Sequence, residues 1–273
     1  MANPHFSFPL VSFNHDVDEC PDGEKFGLHM HDDMEILCVV TGKVGYVVEG
    51  RVYDLRPGSV MLMRSAETHK LLVTKSERYE RYVINFRPEI LEKYHLPSQL
   101  LAPFTERALG EKNHYLAGIF DSVKPLDLCR EIEKSLEFLP PEDAIGTFLP
   151  SMLSLICSAF EKNIKHKENP KDDIAFRLID HVNSHLFESL SLSSIAQSVH
   201  ISESHLNRVF RAATGTSVYR YILSKRLIAA QQLIAQGETA QSAGQKCGFR
   251  DYSAFYRLYK KRFGASPVAT KPK

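Results

Sequence analysis

Ser202-Glu-Ser-His-Leu-Asn-Arg-Val-Phe-Arg-Ala-Ala-Thr-Gly-Thr-Ser217 and Asp251-Tyr-Ser-Ala-Phe-Tyr-Arg-Leu-Tyr-Lys-Lys-Arg-Phe-Gly-Ala-Ser266 repeat one pattern at a distance of 49 positions. The shift lays Leu206 over Phe255, Arg208 over Arg257, Phe210 over Tyr259, Gly215 over Gly264 and Ser217 over Ser266. Ser202 and Asp251 are good helix N-caps, because their side-chain oxygens can take a backbone N–H that the first helical turn leaves without a partner. Apolar residues then recur at three- and four-residue steps, which predicts helices over Glu203–Ala213 and Tyr252–Phe263. A shorter helical stretch precedes each, Leu192–Val199 and Thr239–Cys247. The turns between them are His200-Ile201-Ser202 and Gly248-Phe249-Arg250-Asp251, and Gly248 supplies the positive φ that a sharp turn demands. Two helix-turn-helix units follow.

In the second helix of each unit the apolar residues, Leu206, Val209 and Phe210 or Phe255, Leu258 and Tyr259, face inward. Ser204, His205, Asn207 and Arg208 are left outside in the first unit, and Tyr252, Ser253, Ala254, Tyr256 and Arg257 in the second. Arg pairs bidentately with guanine and Asn with adenine, while a methyl or aromatic group touches the thymine methyl, so these faces have the inventory for reading a major groove. Arg211 and Lys260, with Arg220, Lys261 and Arg262, suit phosphates better. Val218–Ile234 reads as one continuous helix between the units, stopped by Gly237. Such a spacer would set two recognition helices in successive major grooves, about 34 Å apart.

Charge divides the chain in the same place. From Lys171 onward there are 15 Lys/Arg and 7 Asp/Glu, net +8, while residues 1–170 hold 19 and 26, net −7, and the whole chain is +1. Only the basic half is expected to meet a polyanion. The 273 residues exceed the ~100 to 200 of one domain, which together with the polar segment Lys165-His-Lys-Glu-Asn-Pro-Lys171 predicts domains at 1–165 and 172–270. The most apolar stretch, Phe148–Phe160, falls short of the ~20 residues of a membrane span and is interrupted by Ser151, Ser154 and Ser158. Met1–Leu10 lacks a signal-peptide pattern, and the five cysteines are scattered. The expectation is a cytoplasmic protein with reduced thiols and no membrane partner.

The acidic half reads as β structure. Runs rich in Val, Ile, Leu and Tyr at Glu35–Val40, Gly45–Glu49, Arg51–Leu55, Val60–Met63, Lys70–Thr74 and Arg81–Phe86 are separated by Gly, Pro and Asp. That spacing predicts an antiparallel barrel or sandwich. Val48-Glu-Gly-Arg51 and Arg56-Pro-Gly-Ser59 supply tight turns. Further on, Leu126, Cys129, Ile132, Leu136 and Leu139, then Phe148, Met152, Leu155, Ile156, Ala159 and Phe160, predict two amphipathic helices broken at Pro140-Pro141. Their apolar stripes suit either a dimer face or the barrel of their own chain.

His29, His31, Glu35 and His69 form a second constellation. Histidines two apart on an extended chain point the same way, and a carboxylate four residues on reaches the same side, so one later histidine completes a set of N/O ligands. Gly23, His29, His31, Glu35 and Gly42 resemble the first motif of the cupin superfamily. Its second motif is met only by Gly58 and His69, with Arg64, Ala66 and Val73 at positions where the family has Pro, Gly and Asn. Three readings stand: a divalent metal on His29, His31, Glu35 and His69; an organic ligand on His29, His31, Glu35, Arg64 and His69; or polar groups bonding one another at a barrel mouth. Arg64 favours the organic ligand, because a cation beside metal ligands repels a divalent ion and suits a carboxylate, phosphate or sugar hydroxyl.

Residues 172–267 resemble the AraC/XylS regulators along their DNA-binding domain, through Ser193–Ala196, Ser202–Phe210, Thr214-Gly-Thr-Ser217, Tyr221, Arg226, Ala230, Leu233, Gly248-Phe249 through Phe255, Lys260 and Phe263-Gly-Ala-Ser-Pro267. The resemblance implies an α+β protein: an N-terminal cupin-like β-barrel with a helical segment and a C-terminal all-α double helix-turn-helix domain. It implies a sequence-specific regulator, an activator rather than an enzyme, that responds to a sugar or related small molecule. Promoter DNA, RNA polymerase and a second copy of the chain are the implied partners. By position in the family motif, Ser204, Asn207, Arg208, Ser253, Ala254 and Arg257 would face base edges. The competing reading is a metal-binding cupin enzyme carrying a nucleic-acid-binding appendage. One stretch departs from the family: Thr239-Ala-Gln-Ser-Ala-Gly244 has Ala240 and Ala243 where Ile is usual and Gly244 where Ala is usual. Lost packing of ~1 to 3 kcal/mol, and a Gly penalty of ~1 kcal/mol, predict a marginal second unit.

Overall fold

The computed structural model describes residues 4–21, 26–27, 29–73, 77–164 and 174–268; the motif glycine Gly23 and the segment Lys165–Lys171 lie outside the described residues. The chain forms two compact units, Met1–Pro170 and Lys171–Lys273.

Among the described residues, the first unit is built on nine antiparallel strands: β1 (His5–Ser7), β2 (Val11–Asp18), β3 (Met34–Thr41), β4 (Val44–Val48), β5 (Arg51–Leu55), β6 (Val60–Met63), β7 (His69–Leu72), β8 (Tyr79–Phe86) and β9 (His114–Tyr115). One sheet runs β1-β2-β8-β3-β6-β9 and the other β5-β4-β7. Strand alternation sorts the side chains between two cores. Leu37, Val39, Met61, Met63 and Tyr79 of the large sheet meet Val44, Tyr46, Val48 and Leu71 of the small one. Ile36, Cys38, Val60, Leu62, Tyr82, Ile84 and Phe86, on the opposite face, pack against helices. Those helices include the short α1 (Ile90–Lys93) and α2 (Ala102–Thr105) and the longer α3 (Pro125–Ser135) and α4 (Pro141–Ile164).

The stripes of α3 and α4 therefore join their own chain: Cys129, Ile132, Ile145, Leu149, Met152 and Ile156 are fully buried in that second core. By length and composition α4 is long and apolar enough over Pro141–Lys162 to cross a membrane, a correction to the reading of Phe148–Phe160 as too short. Ser151, Ser154 and Ser158 do not interrupt it, because a helix places them away from the stripe that faces the sheet. Strands β1, β2 and β9 were not expected. The alternation is present in Val11-Ser-Phe-Asn-His15, whose buried residues are Val11, Phe13 and His15.

The hairpin between β4 and β5 carries Glu49 and Gly50 at φ 50 and 80, the left-handed pair that a two-residue hairpin requires. Glu49 tolerates that conformation because its buried carboxylate accepts from the backbone N–H and hydroxyl of Thr68 at 2.5 and 2.9 Å. The chain around it is pinned by a buried ion pair. Arg107 Nη1 and Nη2 donate to Glu67 Oε1 and Oε2 at 2.6 and 2.8 Å, with both side chains fully buried. Gly110 N, Asn113 Nδ2 and Arg64 N complete the carboxylate's shell at 2.8, 2.9 and 3.0 Å. Further Arg107 donors reach the carbonyls of Pro103, Glu111 and Leu62. A buried pair repays its desolvation only when satisfied in this way.

Arg107→Met strands the Glu67 carboxylate and is expected to destabilise the protein by about 3 to 5 kcal/mol in urea unfolding; a loss below 1 kcal/mol would contradict the role given to the pair. On β9, burial pushes His114 down to about 4 against the opposing Asp54 charge, and its Nε2 lies 3.0 Å from Ser59 Oγ. Because the folded value lies below the unfolded 6.5, stability is full above pH 6.5 and is lost as pH falls towards 4. Between pH 7 and 4.5 the wild type should lose about 2 kcal/mol more than His114→Gln in denaturant unfolding. Parallel pH profiles would refute it.

Candidate functional site

The second unit comprises α5 (Ile174–Ser184), α6 (Leu192–Ser198), α7 (Glu203–Thr214), α8 (Val218–Ala235), α9 (Ala240–Lys246) and α10 (Tyr252–Phe263). The two recognition helices start and stop by the same chemistry. Ser202 Oγ accepts from His205 N at 3.2 Å and Asp251 Oδ1 from Ala254 N at 2.6 Å. Gly215 and Gly264, at φ 68 and 72, donate their N–H groups to Arg211 O and Lys260 O. The inter-helix turns also match: His200 and Ile201 donate to Gln197 O and Ala196 O, and Gly248 and Phe249 to Gln245 O and Gly244 O. His200 takes the left-handed conformation at φ 56. Gly248 must be glycine, since a Cβ there would lie 2.9 Å from both the Phe187 carbonyl oxygen and Arg226 Cζ.

Burial divides each recognition helix cleanly. Leu206 and Phe210, and Phe255 and Tyr259, are fully buried, whereas Ser204, Asn207, Arg208 and Arg211 on α7 and Tyr252, Ser253, Arg257 and Lys260 on α10 are exposed. His205, Ala254 and Tyr256 are half-buried. Among the described residues, the side chains of Asn207, Arg208, Arg211, Arg257 and Lys260 make no hydrogen bond or ion pair, so their donors are available to a ligand. Ala254 also lines a cleft of about 700 Å³ shared with Tyr219, Phe249 and Leu258.

Arg226 has the opposite role. Its Nε, Nη1 and Nη2 donate to the carbonyls of Leu186, Gly248 and Glu188 at 2.7, 3.0 and 2.6 Å, fastening the spacer helix to the loop before α6 and to the turn between α9 and α10. The expectation of a weakly packed α9 needs correction. Ala243 is fully buried, and a Cβ on Gly244 would come within 3.1 Å of Phe255 Cδ1. The small side chains make room for rings from α10 and its turn: Phe249–Phe255 at 5.0 Å, Phe255–Tyr259 at 5.6 Å and Tyr259–Phe263 at 4.5 Å between centroids.

In the first unit His29, His31, Glu35 and His69 come together, and Arg64 does not join them. His29 and His69 exchange backbone hydrogen bonds at 3.1 and 3.0 Å, which brings the segment before β3 onto β7. The His29–His69 and His31–His69 ring centroids lie 4.2 and 5.0 Å apart. His31 Nε2 is 3.0 Å from Glu35 Oε2. Burial lowers His69 to about 4, the Glu35 charge notwithstanding. Burial also works against the charged forms of His31 and Glu35, but their mutual hydrogen bond and attraction outweigh it, raising His31 and lowering Glu35. Arg64 instead donates from Nη1 to Arg107 O at 3.3 Å, and its charge faces Glu67, Arg107 and Glu49. The turn at Ala66, φ 62, and the bond from Arg64 N to Glu67 fix that direction. A cation beside the histidines, expected from sequence, is thus corrected, and the preference it lent to an organic ligand falls with it.

Residues 195–272 match a family of helix-turn-helix domains and residues 17–139 a family of AraC-like ligand binding domains. The transcriptional activator RhaS of Escherichia fergusonii is 23% identical over 246 residues, 89% of this chain and 86% of its own. The probable transcriptional regulator LumQ of Photobacterium leiognathi is 32% identical over 93 residues, 33% of this chain, and the match spans only 38% of LumQ. The crystal structure of ToxT from Vibrio cholerae O395 aligns over 95% of this chain and 96% of its own, at 16% identity and a TM-score of 0.38.

Phe255→Ala removes the ring that fills the space above Gly244 and is expected to cost about 3 to 5 kcal/mol. Amide exchange should then accelerate across α9 and α10 while α5 to α7 keep their protection; equal acceleration throughout would show that the two helix-turn-helix halves do not have separate cores.

Proposed function

We propose that the chain is a transcriptional regulator of the AraC/XylS type, whose second unit reads promoter DNA through α7 and α10 under the control of a small molecule bound in the barrel of the first. The observation that carries the reading is the pair of equivalently capped helices, each buried on one face and presenting uncommitted Asn207 and Arg208 or Arg257 on the other. Asn207, Arg208 and Arg257, with Ser204, Ser253 and Ala254, take base edges; His205, Tyr252 and Tyr256 flank them; Arg211 and Lys260 take phosphates. The net charge of +8 from Lys171 onward supplies the sequence-independent attraction.

RhaS is named an activator, and we extend that sign to this chain, with RNA polymerase as its partner at the promoter and the cytoplasm as its compartment. A homodimer would present paired sites. Since the main stripes of α3 and α4 are spent on their own core, its contact would fall on exposed residues flanking α3, Val123 and Phe138 among them. The effector belongs to the sugar or related-metabolite class by resemblance, and it acts only through a difference in affinity for the two states of the regulator.

Arg208→Ala and Arg257→Ala should each weaken specific binding by about 1 to 3 kcal/mol and relax discrimination at one base position. Lys260→Ala should weaken all sequences alike and flatten the salt dependence. Electrophoretic mobility shifts against a randomised operator pool read both; unchanged discrimination in both arginine variants would remove the groove assignment.

A further inference from the structure

Each helix-turn-helix half keeps a core of its own, and α8 lends Val218 and Tyr221 to the first and Leu227, Ala230 and Ile234 to the second. The space between the halves is not filled in the same way. It holds the cleft of about 700 Å³ that Ala254 lines, and the walls come from both sides: Leu190 from the loop before α6, Tyr219 and Leu223 from α8, Phe249 and Leu258 from the second half. Apolar packing therefore holds each half together without locking one to the other.

Two arginines cross the gap. Arg250 Nη2 donates to Ser189 Oγ at 3.0 Å. Arg226 does more, because the three carbonyls it binds stand at the C-terminal ends of two helices, one from each half. Leu186 and Glu188 lie in the turns that continue α5, where their N–H groups donate to Asn183 O and His185 O. Gly248 lies just past Cys247, the C-cap of α9. The last carbonyls of a helix have no partner within it and carry the negative end of its dipole, so a cation favours that position. The planar guanidinium presents donors in fixed directions, which a lysine ammonium on a flexible stem cannot reproduce. Gly248 keeps the approach close, since a Cβ there would lie 2.9 Å from Arg226 Cζ. One side chain thus ties α5, α8 and α9 together.

We infer that Arg226 is a positioning residue that sets the distance and the rotational phase between α7 and α10, so that the protein measures the spacing of its two recognition sequences as well as reading each of them; this rests on the reading of α7 and α10 as DNA-recognition helices. With the clamp in place, the two helices meet the duplex in one fixed relation and need not be ordered on binding. A base pair inserted between the two recognition sequences moves one from the other by about 3.4 Å and by roughly a tenth of a turn, which a rigid pair of helices cannot follow. With the clamp released, the open cleft leaves the halves room to swing about α8, and the change is tolerated.

An operator is selected from a random-sequence pool with the wild-type full-length protein, and versions with one base pair inserted or deleted between the two recognised segments are compared by electrophoretic mobility shift. The wild type is expected to lose at least tenfold in affinity with either change. Arg226→Lys, which keeps the charge and loses the fork, should bind the unaltered operator at least threefold more weakly. It should lose no more than a further threefold on insertion or deletion, and it should keep wild-type discrimination at single base positions. Arg208→Ala should show the converse, relaxed discrimination at one base with the full spacing penalty. Double electron–electron resonance on the free protein, between nitroxides attached at the exposed positions Glu203 and Lys261 through an unnatural keto amino acid, should give a broader distance distribution in Arg226→Lys than in the wild type. A folded Arg226→Lys protein that keeps the wild-type spacing penalty or the wild-type distance distribution overturns the inference, as does a wild type indifferent to spacing. An Arg226→Lys protein that does not fold overturns it too, since the residue would then support the fold and not the spacing. A wild type that prefers no sequence in the pool is a different result, which removes the DNA-binding reading itself and this inference with it.

Discussion

Strand β3 is buried on both faces, and the first unit depends on that constraint. Paired with β8 and β6, it sends Leu37 and Val39 into the space between the sheets and Ile36 and Cys38 into the helical layer. A slip of one residue would exchange the two sets and pull Glu35 away from His31 and His69. The run from Ile36 to Val39 is therefore continuously apolar, without the alternation of a half-exposed strand. At its polar end the same register that fills the two cores delivers the buried carboxylate of the histidine cluster.

The Glu67–Arg107 pair does for the loops what β3 does for the layers. Glu67 gathers five donors from Arg107, Gly110, Asn113 and Arg64, and this fixes the course of the chain leading into β7. Its backbone carbonyl accepts from His69 Nδ1. One residue thus serves both the stability of the unit and the direction of a ring in the site. Arg64, two positions before the cluster's supporting turn, is drawn into this network, so the charge that sequence places beside the histidines is spent elsewhere.

The second unit is organised differently, by duplication. Each half has its own small core, and α8 contributes Val218 and Tyr221 to one and Leu227, Ala230 and Ile234 to the other. Arg226 sits between these groups and binds three carbonyls from loops on either side. An arginine committed in this way is a fastener, and its charge carries no implication of contact with DNA. Uncommitted arginines, Arg208 and Arg257, occupy the outer faces instead. The distinction between the two kinds is drawn by hydrogen-bond partners and not by residue type.

Local information was legible in the sequence: the helical repeat, its Ser202 and Asp251 caps, the Gly248 turn, the hairpin at Glu49-Gly50 and the apolar runs of strands β3 to β8. These follow from short-range sterics and periodicity, which a few neighbouring residues settle. The spacing of His29, His31 and Glu35 also announced a shared side. Tertiary structure alone decided the rest. Which core receives the stripes of α3 and α4, which carboxylate claims Arg107, where the long Arg64 side chain turns and which rings fill the space beside Ala243 and Gly244 all depend on surfaces distant in the chain. A stripe records that burial is needed and not what will cover it, because the hydrophobic effect has no direction of its own. The partner is chosen only when the layers meet.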